Sequence, residues 1–182
     1  MGKILVGIAM GGYASEKGIS LESGNNVYQN LSREKWEVFR LLINKNQWIV
    51  LDQNNHEIEF DQNNYSFNFN GETLRFDVIF NAVHGLPGEN GELAAALKSQ
   101  NIPQTSCDSL AAALTFDKRK CLEIAKKTGV STAKSISFNH GDRLDEDVIL
   151  KIVGLPCFVK PNRSGSSYGI VKVQNKKDIG GA

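Results

Sequence analysis

Residues 3–9 (Lys-Ile-Leu-Val-Gly-Ile-Ala) constrain the fold more than any other stretch. The run is apolar at nearly every position instead of at alternate ones, the pattern of a strand covered on both faces, as in parallel sheets. It passes directly into a glycine-bearing turn, residues 10–15. A stretch from 19 to 31 follows, with Ile19, Val27 and Leu31 on one helical face. A strand, a tight turn and a helix in that order aim the helix N-terminus at the carboxyl end of the sheet. That is the edge at which open α/β sheets bind ligands.

Residues 36–43 and 48–51 read as further strands. Between 57 and 69 the pattern alternates (Ile58, Phe60, Tyr65, Phe67, Phe69) and is broken by Asn63-Asn64. This predicts a hairpin or two short edge strands, peripheral or used in subunit pairing. Residues 78–83 form the next buried strand, ending in His84-Gly85. A loop over 86–91, a helix over 92–98 and a short extended piece over 102–105 follow. Ser109 is expected to cap a helix over 110–115. Asp117 is expected to cap a longer one reaching Thr128, with Gly129 as its stop.

Past Asp117 the pattern changes to a strand at 133–138, a helix at 145–152, strands at 157–160 and 169–173, and the opening of a helix at 176–182. The expectation is an α/β chain in two parts with a boundary near residues 115–117. Residues 1–116 form a doubly wound parallel sheet layer. Residues 117–182 form a smaller α+β unit, expected to be part of a larger domain.

Residues 160–169 read Lys-Pro-Asn-Arg-Ser-Gly-Ser-Ser-Tyr-Gly between the last two strands. Small residues in such a loop let backbone N–H groups approach an anion, the serines add hydroxyl donors, and Lys160 and Arg163 add positive charge. A phosphate chain suits that donor set, and a polar hairpin turn is the competing reading. No Gly-x-x-x-x-Gly-Lys-Ser/Thr motif is present.

Composition narrows the partners. The 182 residues carry a formal net charge of +1, with 41% hydrophobic and 23% charged residues, so no basic field argues for nucleic acid. Cys107, Cys121 and Cys157 are odd in number and far apart, and fit free thiols in a reducing compartment. The apolar run at 4–10 is too short for a membrane span, and Val6 stands where a myristoylation signal needs Ser or Thr. A cytoplasmic protein that binds small molecules is expected.

Several side chains could carry chemistry. Glu16 follows the first glycine turn, where a carboxylate either satisfies the helix dipole or holds a substrate ammonium. His84 ends a buried strand at the same sheet edge, and is either a capping histidine or a partner for substrate charge. Lys118 is either a solvated lysine or a phosphate contact at the joint of the two parts. Lys160, closing a buried strand before Pro161, is the stronger candidate for phosphate. His56 and His140 sit in polar loops and receive no role.

Taken together, Gly11-Gly12-Tyr13-Ala14-Ser15-Glu16 with Ile19-Ser20-Leu21 and Ser23-Gly24, His84-Gly85 with Gly88-Glu89-Asn90-Gly91, Phe116-Asp117-Lys118, and Lys160-Pro161 with Gly165-Ser166-Ser167-Tyr168-Gly169 resemble the D-alanine–D-alanine ligases of the ATP-grasp superfamily. The resemblance implies an N-terminal layer of the pre-ATP-grasp type followed by a partial ATP-grasp central subdomain. It implies ATP-dependent joining of two D-alanines through an acyl phosphate, for peptidoglycan precursors.

By position, Glu16 matches the residue that binds the first ammonium, Ser166 the serine bonded to that glutamate, and His84 the histidine near the first D-alanine. Lys118 and Lys160 match lysines that contact ATP phosphates, and Ser167 lies in the loop covering them. Metal ligands for Mg²⁺ are expected beyond residue 182, none within it, which would leave residues 1–182 alone without turnover. A homodimer through the N-terminal domain is also implied. Lys17-Gly18, Asn90, Ala94-Ala95-Ala96, Gln104 and Ser106 depart from the usual pattern. A ligase taking D-lactate or D-serine as acceptor, or a non-catalytic nucleotide-binding or dimer-forming module, are the alternatives.

Overall fold

The structure, a computed structural model, describes residues 2–182, which divide into two compact units on either side of the step from Ala113 to Leu114.

In the first unit β1 (Ile4–Gly11) pairs in parallel with β2 (Trp36–Ile43) on one side and β7 (Val78–Asn81) on the other. Its side chains divide between two apolar clusters. Leu5 and Ala9 join Phe39, Leu41, Ile43 and Ile79 with Leu93 and Leu97 of α2 (Glu92–Ser99). Val6 and Ile8 join Val38 and Ala82, against which Val27 and Tyr28 of α1 (Lys17–Asn30) and the adjoining Leu31 pack. Both faces of β1 are therefore buried, which is why its sequence does not alternate.

The sheet is mixed, a refinement of the expected parallel layer. The strands β3 (Trp48–Leu51), β4 (Glu57–Asp61), β5 (Ser66–Phe69) and β6 (Glu72–Leu74) continue it antiparallel beyond β2, in the order β6-β5-β4-β3-β2-β1-β7. The few residues between β2 and β3 permit a hairpin and exclude the long crossover that a parallel neighbour requires. The hairpin lies toward the sheet edge, as its alternation predicts, yet it carries much of the core. Phe60, Tyr65 and Phe67 are buried with Trp48 and Phe76 in edge-to-face and stacked contacts.

The second unit contains α4 (Lys118–Lys127), α5 (Glu146–Val153) and a two-stranded antiparallel ribbon of β8 (Cys157–Val159) and β9 (Val171–Val173). A helix preceding α4, α3 (Ser109–Phe116), spans the division between the units. A small core of Ile149, Cys157, Val173 and Ile179 holds this unit together. Two expectations are corrected here. Residues 133–138 form no strand, although Ile136 and Phe138 pack on that small core: they contribute apolar contacts without a backbone ladder. Asp108 instead of Ser109 caps α3, its Oδ1 accepting from the N–H of Ala111 at 2.8 Å. Residues 176–178 form a single 3₁₀ turn.

Leu41 is fully buried at the centre of β2. Leu41→Ala is expected to cost about 2–5 kcal/mol in urea unfolding. A loss under about 1 kcal/mol would contradict its place in the core.

Candidate active site

In the first unit the candidate residues gather at the carboxyl ends of β1 and β7. The turn after β1 and the loop after β7 approach so closely that side chains are excluded between them. A Cβ on Gly12 (φ +90°) would lie 2.5 Å from the Leu86 carbonyl oxygen, and the neighbouring Tyr13 N–H donates to that oxygen at 3.0 Å. A Cβ on Gly85 (φ +67°) would lie 2.7 Å from Oε2 of Glu16. Positive φ and close approach together explain glycine at both positions.

Glu16 is 3% exposed. It holds the N-cap position of α1, yet its side chain makes no capping hydrogen bond. Its Oε2 accepts from the Ser15 hydroxyl at 3.2 Å. His84 is half-buried, with Nε2 3.2 Å from Oγ of Ser23 on α1. Ser20, fully buried, fixes the frame. Its hydroxyl donates to the Ala82 carbonyl and accepts from the Gly11 N–H, both at 2.8 Å, which pins the first turns of α1 to the ends of two strands. Glu89 ties the second loop, accepting at Oε2 from the Gly85 N–H at 2.9 Å, while its own N–H donates to the Gly85 carbonyl at 2.8 Å.

The hydroxyl of Tyr13 donates to Glu92 Oε2, and partial burial, with the neighbouring carboxylate second, pushes the Tyr13 phenol up to about 12. The phenol is therefore protonated, and a donor, throughout the neutral range. An open cleft elsewhere in this unit, bordered by Lys98, Ile102, Gln104, Cys107 and Asp108, includes neither Glu16 nor His84. The chemistry-bearing groups lie at the sheet edge.

The second unit places the other candidates around residues 160–169. Asp117, 4% exposed, is the hub. Its carboxylate accepts from Asn162 Nδ2 at 2.9 Å, from the Lys120 N–H at 3.2 Å, and from Nε and Nη2 of Arg163 at 3.1 and 2.9 Å. The Asn162 hydrogen bond, then those from Lys120 and Arg163, hold its pKa down to about 2. Lys118 turns onto the loop backbone, its Nζ donating to the Ser164 carbonyl at 2.5 Å, and the Arg119 N–H donates to Asn162 Oδ1 at 3.0 Å. Two of the cations expected to serve an anion are thus engaged within the unit: Arg163 by Asp117 and Lys118 by a carbonyl.

Lys160 remains exposed, with Nζ 5.6 Å from the Phe158 ring centroid. Ser166 and Ser167 are exposed and adopt successive left-handed conformations, φ +46° and +60°. Ser164 Oγ, donating to the Tyr168 carbonyl at 2.9 Å, and the Tyr168 N–H, donating to the Gly165 carbonyl at 2.9 Å, fold the loop on itself. Exposed hydroxyls and an ammonium beside a tight turn fit a phosphate chain chemically. Glu16 and His84 lie together in one unit. Ser166, Ser167, Lys118 and Lys160 lie in the other. Long-range hydrogen bonds of Ser20, Ser23, Asn162 and Glu92 join residues 43 to 79 positions apart, a separation that gives no periodic signal in the sequence.

Residues 5–107 match the family described as D-ala D-ala ligase N-terminus, and residues 124–182 the one described as D-ala D-ala ligase C-terminus. The chain belongs to the D-alanine–D-alanine ligase family. It is 48% identical over 174 residues to a D-alanine–D-alanine ligase of Flavobacterium johnsoniae, covering 96% of this chain and 54% of that protein.

Among solved structures it resembles D-alanyl-alanine synthetase A of Vibrio cholerae, at TM-score 0.82 and 26% identity over 98% of this chain and 54% of that one. It also resembles the VanG D-Ala:D-Ser ligase of Enterococcus faecalis, at TM-score 0.75 and 26% identity over 99% and 58%. The chain spans about half the length of the curated relatives it matches. Among the described residues no group of three or more His, Cys, Asp or Glu side chains is arranged to hold a metal ion, and no helix is long and apolar enough to cross a membrane.

The depressed Asp117 pKa sets a pH dependence. A carboxylate whose folded pKa lies below its unfolded value contributes stability above the unfolded pKa and loses it as pH falls through the folded one. Asp117→Asn is therefore expected to lower the melting temperature at neutral pH, with the difference from wild type shrinking below about pH 4 and closing near pH 2. A difference independent of pH would mean that the charge on Asp117 does not hold the loop.

Proposed function

We propose that these residues are the amino-acid-binding and nucleotide-flap part of an enzyme that joins two D-alanines with ATP. The observation that carries this reading is the buried Glu16 carboxylate held against Gly85 at the ligand edge of the sheet, with His84 supplied by the adjacent loop. An ammonium held by such a carboxylate is bound in a low-dielectric, oriented setting, where a charge-assisted hydrogen bond is strong. His84, steadied by Ser23, is assigned to the carboxylate side of the same amino acid.

ATP supplies the phosphoryl group that converts the first carboxylate into an acyl phosphate, which the second amine then attacks with release of phosphate. Lys160 and Ser167 are assigned to the phosphates, where the task is positioning and neutralising charge. Lys118, bonded to Ser164, holds the loop's backbone and is proposed as a phosphate contact through that placement. Ser166 is assigned to act with Glu16. Residues 1–116 are proposed as the substrate-side domain and 117–182 as part of the ATP-grasp central subdomain. Mg²⁺ accompanies ATP, with none of the 182 residues assigned as its ligand. The reading places the enzyme in the cytoplasm as a homodimer through its N-terminal domain, making peptidoglycan precursors.

VanG is named a D-Ala:D-Ser ligase, which keeps one alternative specific, so the assay includes D-serine and D-lactate as acceptors. In the full-length gene product, phosphate release from MgATP is expected to require D-alanine and to be absent with L-alanine. Glu16→Gln is expected to reduce that release about ten- to a hundredfold while ATP affinity stays near wild type. Equal loss of both would remove Glu16 from the ammonium. Lys160→Ala is expected to weaken ATP binding about tenfold, and unchanged nucleotide affinity would count against the phosphate assignment.

A further inference from the structure

Tyr13 ties the turn that carries Glu16 both to the loop that carries His84 and to the helix that follows it. One tie is the backbone bond from the Tyr13 N–H to the Leu86 carbonyl. The other is the side-chain bond from the Tyr13 hydroxyl to Oε2 of Glu92, at 2.5 Å, between residues 79 positions apart. Glu92 opens α2, and the next residue anchors that helix. Leu93 is 1% exposed, and its N–H returns to the Pro87 carbonyl at 3.0 Å. The acceptor for Tyr13 is therefore mounted on a helix packed into the main core.

The turn itself needs such a tie. Gly11 (φ +96°) and Gly12 (φ +90°) precede Tyr13, and consecutive glycines leave the backbone more conformational freedom than any other pair. Glu16 follows three residues after Tyr13. An error in the placing of the turn passes directly into the position of its carboxylate, and binding groups must be held within about half an ångström. A phenol spans the gap with two side-chain torsions to fix, and a hydrogen bond to a carboxylate is about twice as strong as a neutral one.

Resting on the reading that Glu16 holds the D-alanine ammonium, we propose that the Tyr13–Glu92 hydrogen bond is a positioning latch for the amino-acid site, fixing the 12–16 turn on α2 so that the Glu16 carboxylate stays beside Gly85. Tyr13 and Glu92 are positioning residues that act through Glu16. A pair that merely stabilised the fold would instead lower melting temperature and affect both substrates alike.

In the full-length enzyme, Tyr13→Phe and Glu92→Ala are each expected to raise KM for D-alanine about three- to tenfold, with kcat and KM for ATP within about twofold of wild type. The double variant is expected to be no worse than either single one, because both remove the same bond. Glu92→Gln, which keeps an oxygen for the phenol to donate to, is expected to stay near wild type. Hydrogen exchange of the amides of residues 13–20 is expected to quicken in Tyr13→Phe while the melting temperature changes little. Unchanged KM for D-alanine in either single variant, additive losses in the double variant, or equal losses for D-alanine and ATP would overturn the latch. A wild-type enzyme without D-alanine-dependent phosphate release would remove the ligase reading separately. Exchange then decides the latch: quickened exchange in Tyr13→Phe supports it, and unchanged protection of the turn overturns it.

Discussion

The close contact of two backbone loops at the carboxyl edge of the sheet is the constraint on which the first unit depends. Gly12 and Gly85 let the turn after β1 and the loop after β7 touch with no side chain between them, and that contact puts the Glu16 carboxylate directly over backbone. Hydrogen bonds then close the contact: Tyr13 N–H to Leu86, Ser20 Oγ between Gly11 and Ala82, and Glu89 with Gly85. The sheet beneath gives these bonds rigid ends. β1 is flanked by two parallel neighbours and covered on both faces, so its end is placed by the whole core.

The second unit solves a related problem with a charge. Residues 160–169 contain glycine and serines and little apolar surface, so packing alone does not order them. Asp117 takes that role by accepting from Asn162 and Arg163 while capping α4 at the Lys120 N–H. A buried carboxylate with this many donors stays ionised, as its pKa near 2 shows, and each donor is fixed in return. This ordering uses the charge of Arg163 internally, and Lys118 is spent on a carbonyl. Lys160 and the hydroxyls of Ser166 and Ser167 stay exposed on the loop.

Much of the architecture was legible where the pattern was long and physically one-sided. The unbroken apolar run of β1, the alternation of β4–β5, and Asp117 as the cap of α4 all follow from burial or capping rules applied locally. The misses have local causes too. Asn70-Gly71, with φ +51° and +84°, is a two-residue hairpin turn that signals β6, yet the strand after it is three residues long and scarcely apolar. Residues 133–138 carry strand-like apolar spacing, but a strand needs a partner strand and those residues pair with none. At the site, Glu16 and His84 were legible because each directly follows a strand or its turn. Ser23, Glu92 and Asn162 were not, because their partners are set by the folded chain and leave no trace in spacing.

The two units also show why a carboxylate's burial does not by itself define its role. Asp117 and Glu16 are almost equally hidden, at 4% and 3% exposure. Asp117 accepts four hydrogen bonds within its own unit, so its charge is used in ordering the loop. Glu16 sits against the Gly85 backbone and accepts from the Ser15 hydroxyl, at the carboxyl edge of the sheet. A carboxylate packed this closely against backbone is held in a dry, oriented setting. In such a setting a charge-assisted hydrogen bond is strong, which is the physical ground for the proposal that Glu16 holds an ammonium.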